Sequence, residues 1–322
     1  MPDGRGRRVA AWCAVPPLAV VTLVVGCRAA DTDGMTPVPQ LLAFLPWLLV
    51  PALLGLALAA AARWPAGCGW ALLAATVTVW FCRPYDPPAG PEPHGRPVAA
   101  LRVLTANLEY GGATDGLLAA LRRERPDLVS VQECDARCAA ALDAPEVRRA
   151  YPYRNVVTGS PAEGSAILSV FPLRDEEPLP GTLSMPRSVA TVAGVPVRVQ
   201  VAHPMPPMPG EVDLWRSELG RLRDFAAARD DTATLIAGDF NATQDHAAFR
   251  DLLDTGLRDS ARATGAARTP TWPSLTAPPF GAQIDHVLVS EVLRPRDSRF
   301  LDLDHTDHRA LLVELDLYAK AR

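Results

Sequence analysis

Three long apolar runs crowd the start of the chain, at residues 9–26, 41–62 and 67–82, and none contains a charged residue. This constrains the fold more than any other feature. A water-soluble fold would have to hide all three, and the remaining chain is too ordinary to supply such a core. Runs of about 18–22 helical residues reach ~27–33 Å, the thickness of a bilayer's hydrocarbon core. The third run reaches only ~24 Å, so its ends belong at the interface, where Trp70 and Trp80 are well suited. Pro16-Pro17 interrupts the first run, and Pro46 and Pro51 lie within the second. The expectation is a membrane domain over 1–83 with three transmembrane helices.

Flanking charge gives the orientation. Arg5, Arg7 and Arg8 precede the first run and Arg63 follows the second, which places both on the cytoplasmic side. Asp31 and Asp33, beside Arg28, mark an outer loop. Three crossings then put the rest of the chain outside the cell membrane, as the outer part of a multi-pass protein in contact with the lipid bilayer. Val24-Val25-Gly26-Cys27 is also compatible with a lipoprotein-type signal, and that route leads to the same side. Residues 84–97 carry six prolines and are expected to form a semi-rigid linker. A catalytic domain is expected over 98–322.

That domain is acidic. Residues 1–96 hold seven Arg and five Asp or Glu, which leaves 25 basic against 31 acidic residues, a net of −6. Proteins that grip long nucleic acids usually present a basic face, so no stable nucleic-acid partner is expected. Cys13, Cys27, Cys68 and Cys82 lie in or beside the apolar runs and read as small buried hydrophobes. Cys134 and Cys138 are spaced as neighbours on a helix, where Cβ atoms stand ~5–6 Å apart. A disulfide needs ~3.5–4.5 Å, so a bridge is not favoured, although the sequence leaves it open.

From residue 101 onward short apolar strands alternate with a few helices. Strands are expected at 101–106, 127–132, 166–170, 189–193, 197–202, 234–237, 284–289 and 310–315, with helices at 115–124 and 212–228. Polar residues fall where the strands stop: Asn107, Glu133, His203, Asp239 and Asn241. Asp285 opens a strand and Asp307-His308 precede the last one. Any one of these could be a turn residue. Six acid or amide residues and two histidines at successive strand tips are not explained that way, because polar ends of buried strands converge on one rim of a sheet.

The segments Leu104-Thr105-Ala106-Asn107, Val131-Gln132-Glu133, Gly164-Ser165-Ala166-Ile167-Leu168-Ser169, Gly238-Asp239-Phe240-Asn241, Gln283-Ile284-Asp285-His286-Val287 and Thr306-Asp307-His308-Arg309 resemble the endonuclease/exonuclease/phosphatase superfamily, in the family's motif order. The resemblance covers about 98–320, with Thr306 where the family usually has serine. It implies an α/β fold, a four-layer α/β/β/α sandwich like that of deoxyribonuclease I, and a phosphoric ester hydrolase. It also implies roles. Asn107, Glu133 and nearby Asp307 would hold Mg²⁺ or Mn²⁺. Asp239 and Asn241 would position phosphate and nucleophile. His308, oriented by Asp285, would be the general base, and His203 would serve the departing group. Arg187 is a further candidate phosphate contact. A hard cation prefers such oxygen donors, and no cluster has zinc spacing.

The layout as a whole resembles the membrane-anchored, VanJ-type teicoplanin-resistance branch. That implies a lipid-linked, polyprenyl pyrophosphate substrate; a secreted nuclease or a sphingomyelinase-like phosphodiesterase are the alternatives. Met205, Met208 and the prolines of the 203–209 loop, with Trp272 and Phe280, could form an apolar lip.

Overall fold

A computed structural model describes residues 4–85, 95–228 and 232–319. The chain opens with α1 (Gly4–Ala29), α2 (Val38–Ala43), a 3₁₀ turn (Leu45–Leu48), α3 (Leu49–Ala61) and α4 (Pro65–Phe81). It continues β1 (Ala99–Asn107), α5 (Thr114–Glu124), β2 (Leu128–Gln132), α6 (Ala136–Leu142), α7 (Pro145–Ala150), β3 (Tyr153–Val157), β4 (Ser165–Ser169), β5 (Leu173–Leu179), β6 (Met185–Val192), β7 (Val195–Ala202), α8 (Val212–Ala227) and β8 (Ala233–Asp239). It closes with α9 (Ala247–Leu253), β9 (Arg258–Asp259), α10 (Ser260–Ala263), β10 (Asp285–Val289), β11 (Leu293–Asp302) and β12 (Arg309–Leu317).

Two six-stranded sheets form, in the orders β11-β12-β1-β2-β4-β3 and β5-β6-β7-β8-β10-β9. Both are mixed: β1 and β2 run parallel, as do β7 and β8, while the remaining pairs are antiparallel. The central strands are buried on both faces. In β1, Leu101 and Val103 point between the sheets, where they meet Val199, Val201, Leu235 and Val287. Leu104 and Ala106 point the other way, against Leu117 of α5 and Leu142 of α6. On the far side of the second sheet, Trp215 and Leu219 of α8 and Phe249 of α9 cover Ile236 and Leu288. This alternation along strands of period two produces the four expected layers.

The N-terminal helices form a separate apolar cluster, in which Val21 and Val24 of α1 meet Leu42, Ala52 and Ala74. Only α1, at 26 residues, is long and apolar enough by itself to cross a bilayer among the described residues; α4 has 17 residues and α3, counted with the 3₁₀ turn, the same. The expectation of three full-length transmembrane helices is corrected in that respect. The second apolar run does not make one helix: α2 ends before Phe44, and Pro46 lies in the first positions of the 3₁₀ turn that follows, since proline lacks an amide N–H and clashes with the preceding turn. Pro16 and Pro17, by contrast, lie inside an unbroken α1. Most of the proline-rich linker, residues 86–94, lies outside the described residues.

A second correction concerns Cys134 and Cys138, which form a disulfide with Cα atoms 5.2 Å apart. The helical-spacing argument fails because Cys134 is not helical. Helix α6 begins at Ala136 behind the extended cap Asp135, whose carboxylate accepts the Cys138 amide.

Candidate active site

The sheet topology explains why the polar strand tips meet. Parallel β1 and β2 end side by side, with Asn107 opposite Gln132. Parallel β7 and β8 do the same, with Ala202 opposite Gly238. Antiparallel β10 starts where β8 stops, with Asp285 opposite Asp239, and β12 starts beside the end of β1. Glu133, His203, Asp239, Asn241, Asp307 and His308 all line one cavity of about 540 Å³. Asn107 and Asp285 stand directly behind it.

Buried Asn107 organises one side. Its Nδ2 donates to Glu133 Oε1 at 3.0 Å and to Asp239 Oδ2 at 3.2 Å, and its Oδ1 accepts the Glu109 amide. Glu133 Oε2 accepts the Tyr110 amide at 2.9 Å. On the other side His308 Nδ1 lies 2.9 Å from Asp285 Oδ2. Its Nε2 faces Asp239 Oδ2 and Asp307 Oδ1, each at 3.7 Å. Asp307 Oδ2 accepts the indole N–H of Trp272 at 2.8 Å. The Thr306 hydroxyl donates to the Asn107 carbonyl and accepts the His308 amide, so threonine retains the hydroxyl that ties β1 to β12. Asn241 donates from Nδ2 to the Pro204 carbonyl, while its amide donates to Asp239 Oδ1.

Local backbone geometry is unusual here. Glu109, Tyr110, Glu133 and Asn241 all have φ between 44° and 56°, a region that side chains rarely adopt and that tends to cluster at functional sites. A Cβ on Gly238 would sit 1.9 Å from the Ala202 carbonyl oxygen, so only glycine can precede Asp239.

Electrostatics divide the two histidines. Burial holds His203 neutral, pushing its pKa down to about 3, with His308 adding to the effect; its Nε2 lies 3.9 Å from Glu133. His308 moves the opposite way: burial resists its protonation, but Asp285 and then Asp239 outweigh burial and raise its pKa. Asp239 is raised too, by burial first, against the pull of His308. These shifts describe a site with excess negative charge. Among the described residues lining the cavity there is no Arg or Lys.

A divalent cation therefore fits the donor set. Ligand atoms of Asp239, Asp285 and His308 lie within 4.8 Å of one another. Because Asp285 and His308 already hydrogen-bond each other, the oxygen set of Glu133 and Asp239, joined by Asn107, is the better match for a hard ion.

Arg187 does not join the group. On β6 its guanidinium lies 3.7 Å from Glu176 and 5.9 Å from the Phe225 ring, and it does not line the cavity. In the β5–β6 pairing Arg187 stands opposite Glu176, and its guanidinium stays with that carboxylate instead of the strand-tip residues.

The sequence also gave no sign of several cavity residues. Tyr110, Leu183 and His246 line it, as do Pro39, Gln40, Ala43 and Phe44 from the segment around α2. Phe44 meets Trp272, with ring centroids 6.2 Å apart.

The model of the Endonuclease/Exonuclease/phosphatase family matches residues 104–308, a span holding every one of these site positions contributed by the sheets. No curated protein matches the chain. Among solved structures, a humanized D. rerio TDP2 aligns with a TM-score of 0.56 at 15% identity, over 67% of this chain and 99% of that one. An endonuclease/exonuclease/phosphatase from Beutenbergia cavernae gives 0.54 at 21%, over 68% and 72%. An AP endonuclease from Archaeoglobus fulgidus gives 0.52 at 18%, over 66% and 98%. At such identities these likenesses establish the fold alone. With two sheets faced by helices and the family motifs at one rim, the chain belongs to the endonuclease/exonuclease/phosphatase family.

Proposed function

We propose that this protein is a membrane-anchored, divalent-cation-dependent phosphoesterase acting outside the cytoplasm, with a lipid-linked pyrophosphate of the polyprenyl type as its substrate class. The observation that carries the hydrolase reading is the His308–Asp285 pair facing Asp239 and Glu133 in a cavity without Arg or Lys. An anionic phosphate could not settle among those carboxylates unless a cation neutralised them. Glu133, Asp239 and Asn107 would hold Mg²⁺ or Mn²⁺, with Asp307 beside it. The ion would neutralise charge on the phosphate oxygens.

The protein's own groups supply the rest. His308 would take a proton from water at Nε2, and Asp285 fixes the tautomer by accepting from Nδ1 and stabilises the imidazolium. Asn241, held by Pro204 and Asp239, would orient the phosphate. His203, neutral because it is buried, would donate a hydrogen bond to the departing oxygen rather than deliver a proton.

Three observations support the membrane reading. Large apolar side chains are exposed on all three apolar helices: Trp12 and Leu23 on α1, Leu53 and Leu54 on α3, Leu72 and Trp80 on α4. Patches of this kind mark surfaces that meet another phase or partner. The C-terminal end of α4 and the loop between α1 and α3 touch the catalytic domain, through Arg268 with Phe81 and His246 with Pro39. The ends bearing Arg5, Arg7, Arg8 and Arg63 are therefore directed away from it, as basic cytoplasmic flanks would be. The Cys134–Cys138 disulfide suits an oxidising compartment.

The test uses full-length protein in detergent with Mg²⁺, offered a polyprenyl pyrophosphate, plasmid DNA or sphingomyelin. Phosphate release from the first, abolished by chelation, is expected. Turnover of DNA alone would replace this reading with the nuclease one.

A further inference from the structure

The connection between α1 and α3 does not hang free in solvent. Asp33 accepts the amides of Ala247 and Ala248 at the start of α9, at 2.7 and 3.2 Å. The Pro39 carbonyl meets His246 Nε2 at 2.8 Å, and Gln40 donates to the Pro207 carbonyl. Arg250 pairs with Asp31. Phe44 stacks on Phe280 at 5.1 Å, and Trp47 meets the same ring edge-on at 4.9 Å. These contacts make Pro39, Ala43 and Phe44 part of the active-site cavity's lining, together with Met205, Pro206 and Met208.

The cavity lining is of two kinds. Glu133, Asp239 and His308 supply charge. Pro39, Ala43, Phe44, Met205, Pro206 and Met208 are apolar, with Met208 54% exposed, and Phe280, stacked on Phe44, 39% exposed. A phosphate at His308 would have the remainder of its molecule against the apolar lining. Part of that lining comes from the segment connecting two apolar helices, so the slot adjoins the anchor rather than only bulk water.

We propose that the α1–α3 connection is a wall of the active site, and that the slot it closes holds the hydrocarbon tail of an amphiphilic phosphate ester. Phe44 and Met208 are then specificity-determining residues. This inference rests on the phosphoesterase reading above. A contact worth one buried aromatic or thioether side chain corresponds to roughly a tenfold or larger change in selectivity.

Full-length protein in mixed micelles would be assayed on one phosphate headgroup carrying either a long or a short alkyl chain. Phe44→Ala, in the anchor wall, and Met208→Ala, in the exposed loop that shares the cavity lining, are compared with the parent. The ratio of kcat/KM for the long chain to that for the short chain is expected to fall at least tenfold in both variants. A general folding defect would lower both values together and leave the ratio unchanged, and Met208 is exposed enough for its variant to fold. Turnover of both chain lengths with a ratio that neither variant alters would overturn the slot while leaving the hydrolase reading intact. No turnover of either chain length would remove the hydrolase reading and the slot with it.

Discussion

Replacing Asp285 with asparagine isolates the contribution of one buried charge. The carboxylate is fully buried, and its Oδ2 accepts from His308 Nδ1 at 2.9 Å. Asparagine keeps the shape and an acceptor oxygen, so His308 should stay in place. What disappears is the negative charge that stabilises the imidazolium when His308 gains a proton. Removing one partner from a buried ion pair costs about 3–5 kcal/mol. At ~1.36 kcal/mol per decade, kcat should fall by ~10²–10⁴, the range of general-base assistance.

Stability carries a second signature. The folded pKa of His308 is raised above its ordinary value, so the pair's stabilisation is complete below about 6.5. It is lost as pH rises through the elevated folded pKa. The stability gap between parent and Asp285→Asn should therefore shrink as pH increases. Single-turnover rates with saturating Mg²⁺, alongside thermal melts across that window, measure both effects. A folded variant with kcat within about tenfold of the parent would refute the pairing of His308 and Asp285 as base and orienter.

Other outcomes follow from the same geometry. Glu133→Gln removes a charged oxygen donor and should weaken Mg²⁺ or Mn²⁺ binding by at least ~10–100-fold in calorimetry. Cation binding in the parent should release protons near neutral pH, because His308 is held protonated by the same carboxylates that a cation would neutralise; a titration with no proton release would contradict this. The double variant Cys134→Ser, Cys138→Ser should lose about 2 kcal/mol, a drop of roughly 4–8 °C in melting temperature, matched by the parent under reductant. Arg187→Ala should leave kcat/KM within about twofold and cost at most ~1 kcal/mol of stability, since it faces Glu176 on the neighbouring strand.

The strands that carry the site were legible because they are buried on both faces and read as continuous apolar runs ending in polar residues. The 284–289 and 310–315 strands were expected within one or two residues of β10 and β12. The edge strands β3, β5, β9 and β11 were not expected. Their exposed residues, such as Arg174, Asp175 and Glu176 in β5, carry no hydrophobic pattern, because an edge strand is stabilised by pairing with its neighbour.

Local chemistry therefore determined which residues could act. An amide, several carboxylates and two imidazoles at strand tips need no tertiary information to be recognised as donors and bases. What tertiary structure decided was direction and company. It turned Arg187 toward Glu176 of the neighbouring strand. It also laid Phe44 beside Trp272, a contact spanning more than 200 residues. No local signal encodes such a contact, because its energy arises only when surfaces distant in sequence exclude water together.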